Sequence, residues 1–273
     1  MTRRDASHWP SLLILADTVL NGGEDMSTMS TEIAMDEPPK SFFERLVGVF
    51  VSPGATFADI ARKPNFFAPL IVSILATMAV FETMLAKIRA ERIVRQSLEQ
   101  SGRASNMSPD QMQQALEQGA KFTGIFMHLT GLLLAPILLL VVAGVGLLIM
   151  NAIFGSRLKF KTAFSVTAYA YLVNLLGVII ALVMILVADP EQFNTQNPAP
   201  TNLGFFFNPR ETSKPMLSLL GSLDIFSIWL ITLLGIGFSE AVSRKVKPTT
   251  ISLCFAVAWA IWVLAKMGLS MLG

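Results

Sequence analysis

Five apolar runs divide the chain, at about residues 66–85, 122–150, 162–187, 219–238 and 251–269. Each is close to the roughly 20 residues an α-helix needs to cross the hydrocarbon core of a bilayer. The pattern predicts an all-α fold, a polytopic membrane helix bundle with five transmembrane helices. Ahead of the first run, residues 41–63 are amphipathic. Phe42, Phe43, Leu46, Val49 and Phe50 recur at helical spacing, with Glu44 and Arg45 on the other side. Ser52-Pro53 restarts the chain, serine as N-cap and proline at the first helical position. Thr56, Phe57 and Ile60 then face one way; Asp59, Arg62 and Lys63 face another. Two interfacial amphipathic helices before the first span are the expectation, with a soluble cap as the alternative.

The connecting segments differ among themselves. Residues 86–100 hold no helix breaker before Gly102, so the first helix should run on beyond the membrane with a thin stripe of Ile88, Val94 and Leu98. Ser108-Pro109-Asp110-Gln111 then reads as a capping box opening the next helix, whose stripe is Met112, Ala115, Leu116 and Ala120. Together they predict a helical hairpin standing about 20 Å out from one face. Pro136 should kink the second span, because it deprives the helix of a hydrogen bond. Residues 188–215 form a long polar loop with an apolar patch, Leu203-Gly204-Phe205-Phe206-Phe207, expected to dip back onto the bilayer or the bundle.

Residues 1–40 are polar, with Gly22-Gly23 and Pro38-Pro39, and read as a disordered N-terminal tail ahead of a membrane domain over 41–273. The apolar stretch at 12–16 is too short for a signal-peptide core, and Asp5, His8 and Asp17 interrupt it. Met26 and Met29 stand as alternative starts.

Composition agrees. Hydrophobic residues make up 53% of the chain and charged residues 15%, against about 25% charged in a soluble domain. A net charge of +2 gives no case for a nucleic-acid surface. The lone Cys254 excludes an internal disulfide and a cysteine metal site.

Basic residues in the short loops set the orientation. Arg157, Lys159 and Lys161 lie between spans two and three, and Arg244, Lys245 and Lys247 between spans four and five. Lys40, Arg45, Arg62 and Lys63 precede span one. All fall on one side, which is read as cytoplasmic. The loop after span one opposes this with Arg89, Arg92, Arg95 and Arg103, but it is long and also carries Glu91 and Glu99. The expectation is an inner-membrane protein with its N-terminus inside and its C-terminus outside.

In that topology four ionisable residues share a level near the outer face: Glu82, His128, Asp224 and Lys266. A charge inside hydrocarbon costs on the order of 3 kcal/mol unless paired or hydrated. Two readings follow. Either the four line a polar pathway, or Asp224 and Lys266 form an ion pair locking the last two spans, with Glu82 and His128 at the waterline. Asn174 lies nearer the midplane of span three, and Glu240 at the cytoplasmic end of span four. Gly235, Ser239, Ala256 and Ala260 are small residues that would let the last two helices approach closely.

Soluble-enzyme patterns are missing from the sequence. With only His8 and His128, a histidine metal cluster is excluded. Gly144-Val145-Gly146 and Gly235-Ile236-Gly237 lie inside spans, where they read as helix contacts and not as phosphate loops. No catalytic residue, metal or cofactor is expected. The expected partners are the lipid bilayer and a membrane protein or second copy of the chain.

Several stretches resemble the Yip-domain family of five-span membrane proteins, first met as partners of Rab-type GTPases. They are Phe43-Glu44-Arg45-Leu46, then Ser52-Pro53-Gly54-Ala55-Thr56-Phe57, Ala168-Tyr169-Ala170-Tyr171, and Leu223-Asp224-Ile225-Phe226-Ser227-Ile228-Trp229 continuing to Leu234-Gly235-Ile236-Gly237. The resemblance spans about residues 42–270 and implies a cytosolic N-terminus. The Asp-Leu-Tyr-Gly-Pro type motif of eukaryotic relatives is missing, so the chain is more similar to the bacterial branch. Asn174 stands where many bacterial members would place proline. Binding of a Rab-like GTPase does not carry over. The resemblance implies a non-enzymatic organiser of membrane partners or lipid; a small transporter, channel or permease subunit is the alternative.

Overall fold

The computed structural model describes residues 39–190, 193–209 and 211–271. Except for Pro39 and Lys40, the tail expected over residues 1–40 lies outside the described residues. The described residues form helices and turns without a strand; their one bridge joins Asn202 and Asp224.

Helices α1 (Phe42–Val51) and α2 (Pro53–Arg62) follow the predicted restart. Ser41 and Glu44 form a reciprocal capping box, the Ser41 amide donating to Glu44 Oε2 at 2.6 Å and the Glu44 amide to Ser41 Oγ at 3.3 Å. At the start of α2, proline occupies the first turn but Ser52 makes no side-chain cap. Its carbonyl instead accepts from the Thr56 hydroxyl at 2.9 Å. The pair does more than lie in the interface. Val49, Phe57 and Ile60 are fully buried, in one core cluster with Val166, Tyr169, Leu234 and Phe238. The face of α1 left exposed is itself apolar: Phe43, Val47 and Val51, spaced four apart, remain open for lipid.

Helix α3 (Phe67–Lys87) is the first span. The helix expected to continue through residue 100 stops there. Ile88 is extended, and α4 (Ala90–Gln100) starts anew. Burial explains the break: Ile88 is almost fully buried in a cluster with Met84, Met127, Ile185 and Phe193. Seating that side chain in the bundle outweighs the helix propensity of the flanking residues. The capping box at Ser108 and Gln111 forms as expected and opens α5 (Pro109–Leu147). At 39 residues, α5 is about 58 Å long, nearly twice the thickness of a bilayer core. Its polar start therefore lies outside the hydrocarbon, where α4 packs on it. The two backbones approach closely at Gly119, where a Cβ would meet Val94 Cγ1 at 2.8 Å.

α5 runs through Pro136 and ends in a π turn, Leu148–Ile153. Asn151 clamps the following loop, its Oδ1 accepting the Leu158 amide at 2.8 Å and its Nδ2 donating to the Leu158 carbonyl at 3.1 Å. The third apolar run folds as α6 (Phe160–Tyr171) and α7 (Asn174–Val187), with a break at Leu172 and Val173. Asn174 Nδ2 donates to the Tyr171 carbonyl at 3.0 Å, satisfying a group the break would leave bare in a water-free region.

The fourth run also breaks. Instead of one helix from residue 219, the chain forms α8 (Lys214–Ser222) and α9 (Ile225–Ala241), with Asp224 extended between them. α10 (Pro248–Leu269) closes the bundle. Four helical segments are long and apolar enough to cross a membrane: Phe67–Lys87, Pro109–Ile153, Phe160–Val187 and Pro248–Leu269. Ile225–Ala241 is apolar but shorter, at 17 residues.

Close helix contacts cluster around α9. A Cβ on Gly235 would meet Ser252 Oγ at 1.9 Å and the Pro248 carbonyl at 2.7 Å; one on Gly146 would strike the Phe238 ring at 2.2 Å. Gly237 faces Val166 and Phe57. Both glycine pairs thus lie inside helices, Gly144 alone facing open space. Ser239 is buried and donates to the Val246 carbonyl at 2.6 Å. On the α10 side the approach to Gly235 is made by Ser252; Ala256 is partly buried and Ala260 exposed.

Candidate functional site

The four ionisable residues singled out from the sequence fall into separate places. Glu82 on α3 and His128 on α5 are hydrogen-bonded through Glu82 Oε1 and His128 Nδ1, both partly exposed. Asp224 is the N-cap of α9. Its Oδ1 accepts the amides of Phe226 at 2.8 Å and Ser227 at 3.3 Å, and its Oδ2 accepts the Thr201 hydroxyl. Backbone bonds reinforce that junction: the Leu203 amide donates to the Leu223 carbonyl at 3.3 Å and the Ile225 amide to the Thr201 carbonyl at 3.2 Å. Lys266 reaches only Ser222 Oγ, at 3.5 Å. The expected Asp224–Lys266 ion pair does not form. The carboxylate is consumed by a helix start and a loop hydroxyl, which an apolar stretch in one unbroken helix would not have required.

Lys266 belongs to a different feature. A cavity of about 510 Å³ opens between the end of α4, the loop after α7, α8 and the end of α10. Its walls include Gln100, Asn197, Asn202, Lys214, Ser218 and Lys266. Among the described residues they carry two lysines, several amides and hydroxyls, and no carboxylate. Glu82, His128 and Asp224 do not line it, so the cavity does not join the four ionisable groups.

The roof is held by side-chain amides. Gln96 Nε2 donates to the Phe193 carbonyl at 3.0 Å, while its Oε1 accepts the Thr195 amide at 3.0 Å and the Thr195 hydroxyl. Asn197 and Asn202 pair amide to amide at 2.9 and 3.0 Å. The apolar patch folds as a 3-10 turn, Leu203–Phe206, capped by Asn202. Gly204 packs on Gly221 of α8, where a Cβ would come within 2.8 Å of backbone nitrogen. Leu203, Phe206 and Phe207 point outward and stay exposed. Among the described residues, the half-buried side-chain amide of Gln100 has no hydrogen-bond partner, and the buried hydroxyl of Ser218 has none either.

A second polar cluster escaped the sequence pattern. Arg45 of α1 and Asp59 of α2, assigned to polar outer faces, are buried and joined at 2.8 Å. Arg45 also donates to the Lys63 carbonyl at 3.1 Å and lies 5.7 Å from the centre of the Tyr169 ring. Arg62 approaches Asp59 at 3.3 Å. The available signal was spacing: Arg45 precedes buried Val49 by four residues and Asp59 follows buried Thr56 by three. Nearby, Gly54 lies against Arg244 and Glu240. Arg244, in the turn before α10, pairs at 2.6 Å with Glu240 near the end of α9, whose hydrogen bond and charge raise the pKa of the Arg244 guanidinium. No group of three or more metal-ligating side chains occurs among the described residues.

These helices and this site define a multi-pass membrane protein, an all-helical bundle with a polar cavity at one end. The family model for the Yip1 domain matches residues 47–267, and the chain belongs to the Yip1 domain family. No curated protein and no solved structure matches it.

Proposed function

We propose that the protein acts without catalysing a reaction, organising membrane partners or lipid from within the inner membrane. The observation that supports this best is the cavity wall. Two lysines, amides and hydroxyls, with no carboxylate among the described wall residues, can hold a polar or anionic group by hydrogen bonds. They offer no paired acid and base to process it. The broken pair α8 and α9 serves as the fifth crossing in this reading. The N-terminus is cytoplasmic, as the basic residues before α3, after α5 and before α10 favour, and the cavity and C-terminus are outside. The experiment is crosslinking and co-purification of the full chain from native membrane, with lipid analysis of the same preparation. An enriched membrane protein, a second copy or an enriched lipid class is the expected result. A preparation without any of the three removes the reading.

A transporter, channel or permease subunit is the second reading, favoured by the helix break at Asp224 and the Glu82–His128 pair. Interrupted helices and intramembrane ionisable pairs are common in ion and solute pathways. Liposome flux tests it. A flux that the chain supports and that Asp224→Asn or Lys266→Met abolishes would establish it; flux unchanged in both variants leaves the two residues structural.

A further inference from the structure

We propose that the cavity at the end of α10 binds the headgroup of an anionic phospholipid, with the phosphate on Lys266 Nζ and the headgroup hydroxyls on the amide wall. The idea deepens the lipid branch of the function above, and rests on it only in placing this end of the bundle at the membrane surface.

Three observations lead there. The first is charge. Lys266 lies 18 positions beyond Pro248, about 27 Å along the helix, so it reaches the interface opposite the basic turn. A lipid phosphate lies at that level. Among the described residues Lys266 has no carboxylate partner, only the long contact to Ser222. Lys214 adds a second positive charge to the wall. An ammonium at the edge of the hydrocarbon is stabilised by an anion that stays with it.

The second is unused hydrogen-bonding capacity. The Gln100 amide and the Ser218 hydroxyl are on the wall and lack partners among the described residues. Buried polar groups are normally satisfied, which singles out the buried Ser218 hydroxyl; the half-buried Gln100 amide beside it offers a donor and an acceptor to a ligand. A phosphate bearing a polyol headgroup supplies both. A choline headgroup supplies no donor and places a cation against two lysines.

The third is the rim. Leu203 and Phe206, on the turn that contains the wall residue Gly204, are exposed, as are Met216 on α8 and Leu269 on α10. Each lies within three residues of a wall position. Exposed apolar side chains beside a polar cavity suit a ligand with acyl chains better than a free phosphate.

The test is native mass spectrometry of the full detergent-purified chain, titrated with phosphatidylglycerol, phosphatidylcholine or glycerol 3-phosphate. Phosphatidylglycerol should be retained about tenfold better than phosphatidylcholine, the worth of one charge-assisted hydrogen bond. Lys266→Gln should erase that preference, Lys266→Arg should keep most of it, and Gln100→Ala should weaken it without unfolding. Lys245→Gln, in the turn before α10, should leave it unchanged. Equal retention of the two lipids, or a preference that survives Lys266→Gln, overturns the site. Saturation by glycerol 3-phosphate at the concentration that saturates with phosphatidylglycerol overturns the lipid assignment. A membrane partner recovered by co-purification despite a negative result here would leave the organising function standing.

Discussion

The Arg45 guanidinium and the Asp59 carboxylate meet at 2.8 Å inside the protein, each side chain only 4% exposed. They belong to different helices, 14 residues apart, and fasten α1 to α2 where both pack on Tyr169 and the core around α6 and α9. Two buried charges are costly, and their attraction repays the desolvation only when geometry and further hydrogen bonds are good. Lys63 and Arg62 provide those further contacts.

Removing either partner should therefore be severe. Arg45→Ala or Asp59→Ala should destabilise the detergent-solubilised protein by about 3–5 kcal/mol, because the remaining charge is left buried and unpaired. The double variant Arg45→Met with Asp59→Leu should recover much of that loss. Thermal unfolding followed by tryptophan fluorescence checks this; single variants that unfold with the wild type would show the pair to be idle.

Asp224 should behave as a cap and not as an ion-pair partner. Asp224→Ala should cost about 1 kcal/mol, the usual worth of a helix N-cap. Asp224→Asn and Asp224→Ser should cost less, since both can still accept the Phe226 amide. Lys266→Met should leave unfolding nearly unchanged without added lipid. A Lys266→Met loss that matches Asp224→Ala and is not additive with it would restore the ion pair.

Gly235 sets how closely α9 and α10 approach. Gly235→Ala puts a methyl within 2.7 Å of the Pro248 carbonyl as well as against Ser252. Overpacking of this kind costs about 1–3 kcal/mol. Ser252→Ala should relieve only part of it, because the carbonyl remains. Gly144→Ala, which meets nothing within 4 Å, should be neutral or slightly stabilising. Retained stability in Gly235→Ala would mean that the two helices separate at little cost.

Gln96 should control the order of the loop over the cavity. Gln96→Ala removes its bonds to Phe193 and Thr195, and hydrogen exchange should speed up by about tenfold across residues 193–202, with α9 and α10 unaffected. Unchanged exchange in the loop would assign its order to the Asn197–Asn202 pair alone.

The spans were legible because crossing a bilayer is a demand on composition, which a single sequence carries. The capping boxes at Ser41 and Ser108 are as local as the spans; that at Ser108 was read, and that at Ser41 had the same serine–acid spacing. The breaks at Ile88, Leu172 and Asp224 were not legible, because an apolar or helix-favouring stretch looks the same whether its helix is whole or divided. What divides it is a partner distant in sequence: Phe193 and Met127 beside Ile88, and Thr201 at Asp224. Depth counting brought Glu82 and His128 to one level, and the two are hydrogen-bonded. The same counting gave Asp224 and Lys266 one level without revealing that Asp224 caps α9 and that Lys266 faces the cavity.

By itself, the sequence determined the membrane class, the order of apolar helices, the family and the places where helices start with a cap. All of these follow from hydrophobicity and from contacts between near neighbours. The tertiary structure alone decided that Arg45 and Asp59 are buried, that Lys266 faces an amide-lined cavity, and that the α10 contact with Gly235 is Ser252. Those outcomes depend on which faces of distant helices meet, and on polar groups finding partners once water is excluded. Single-sequence periodicity records which side of a helix is apolar, but not which other helix it will touch.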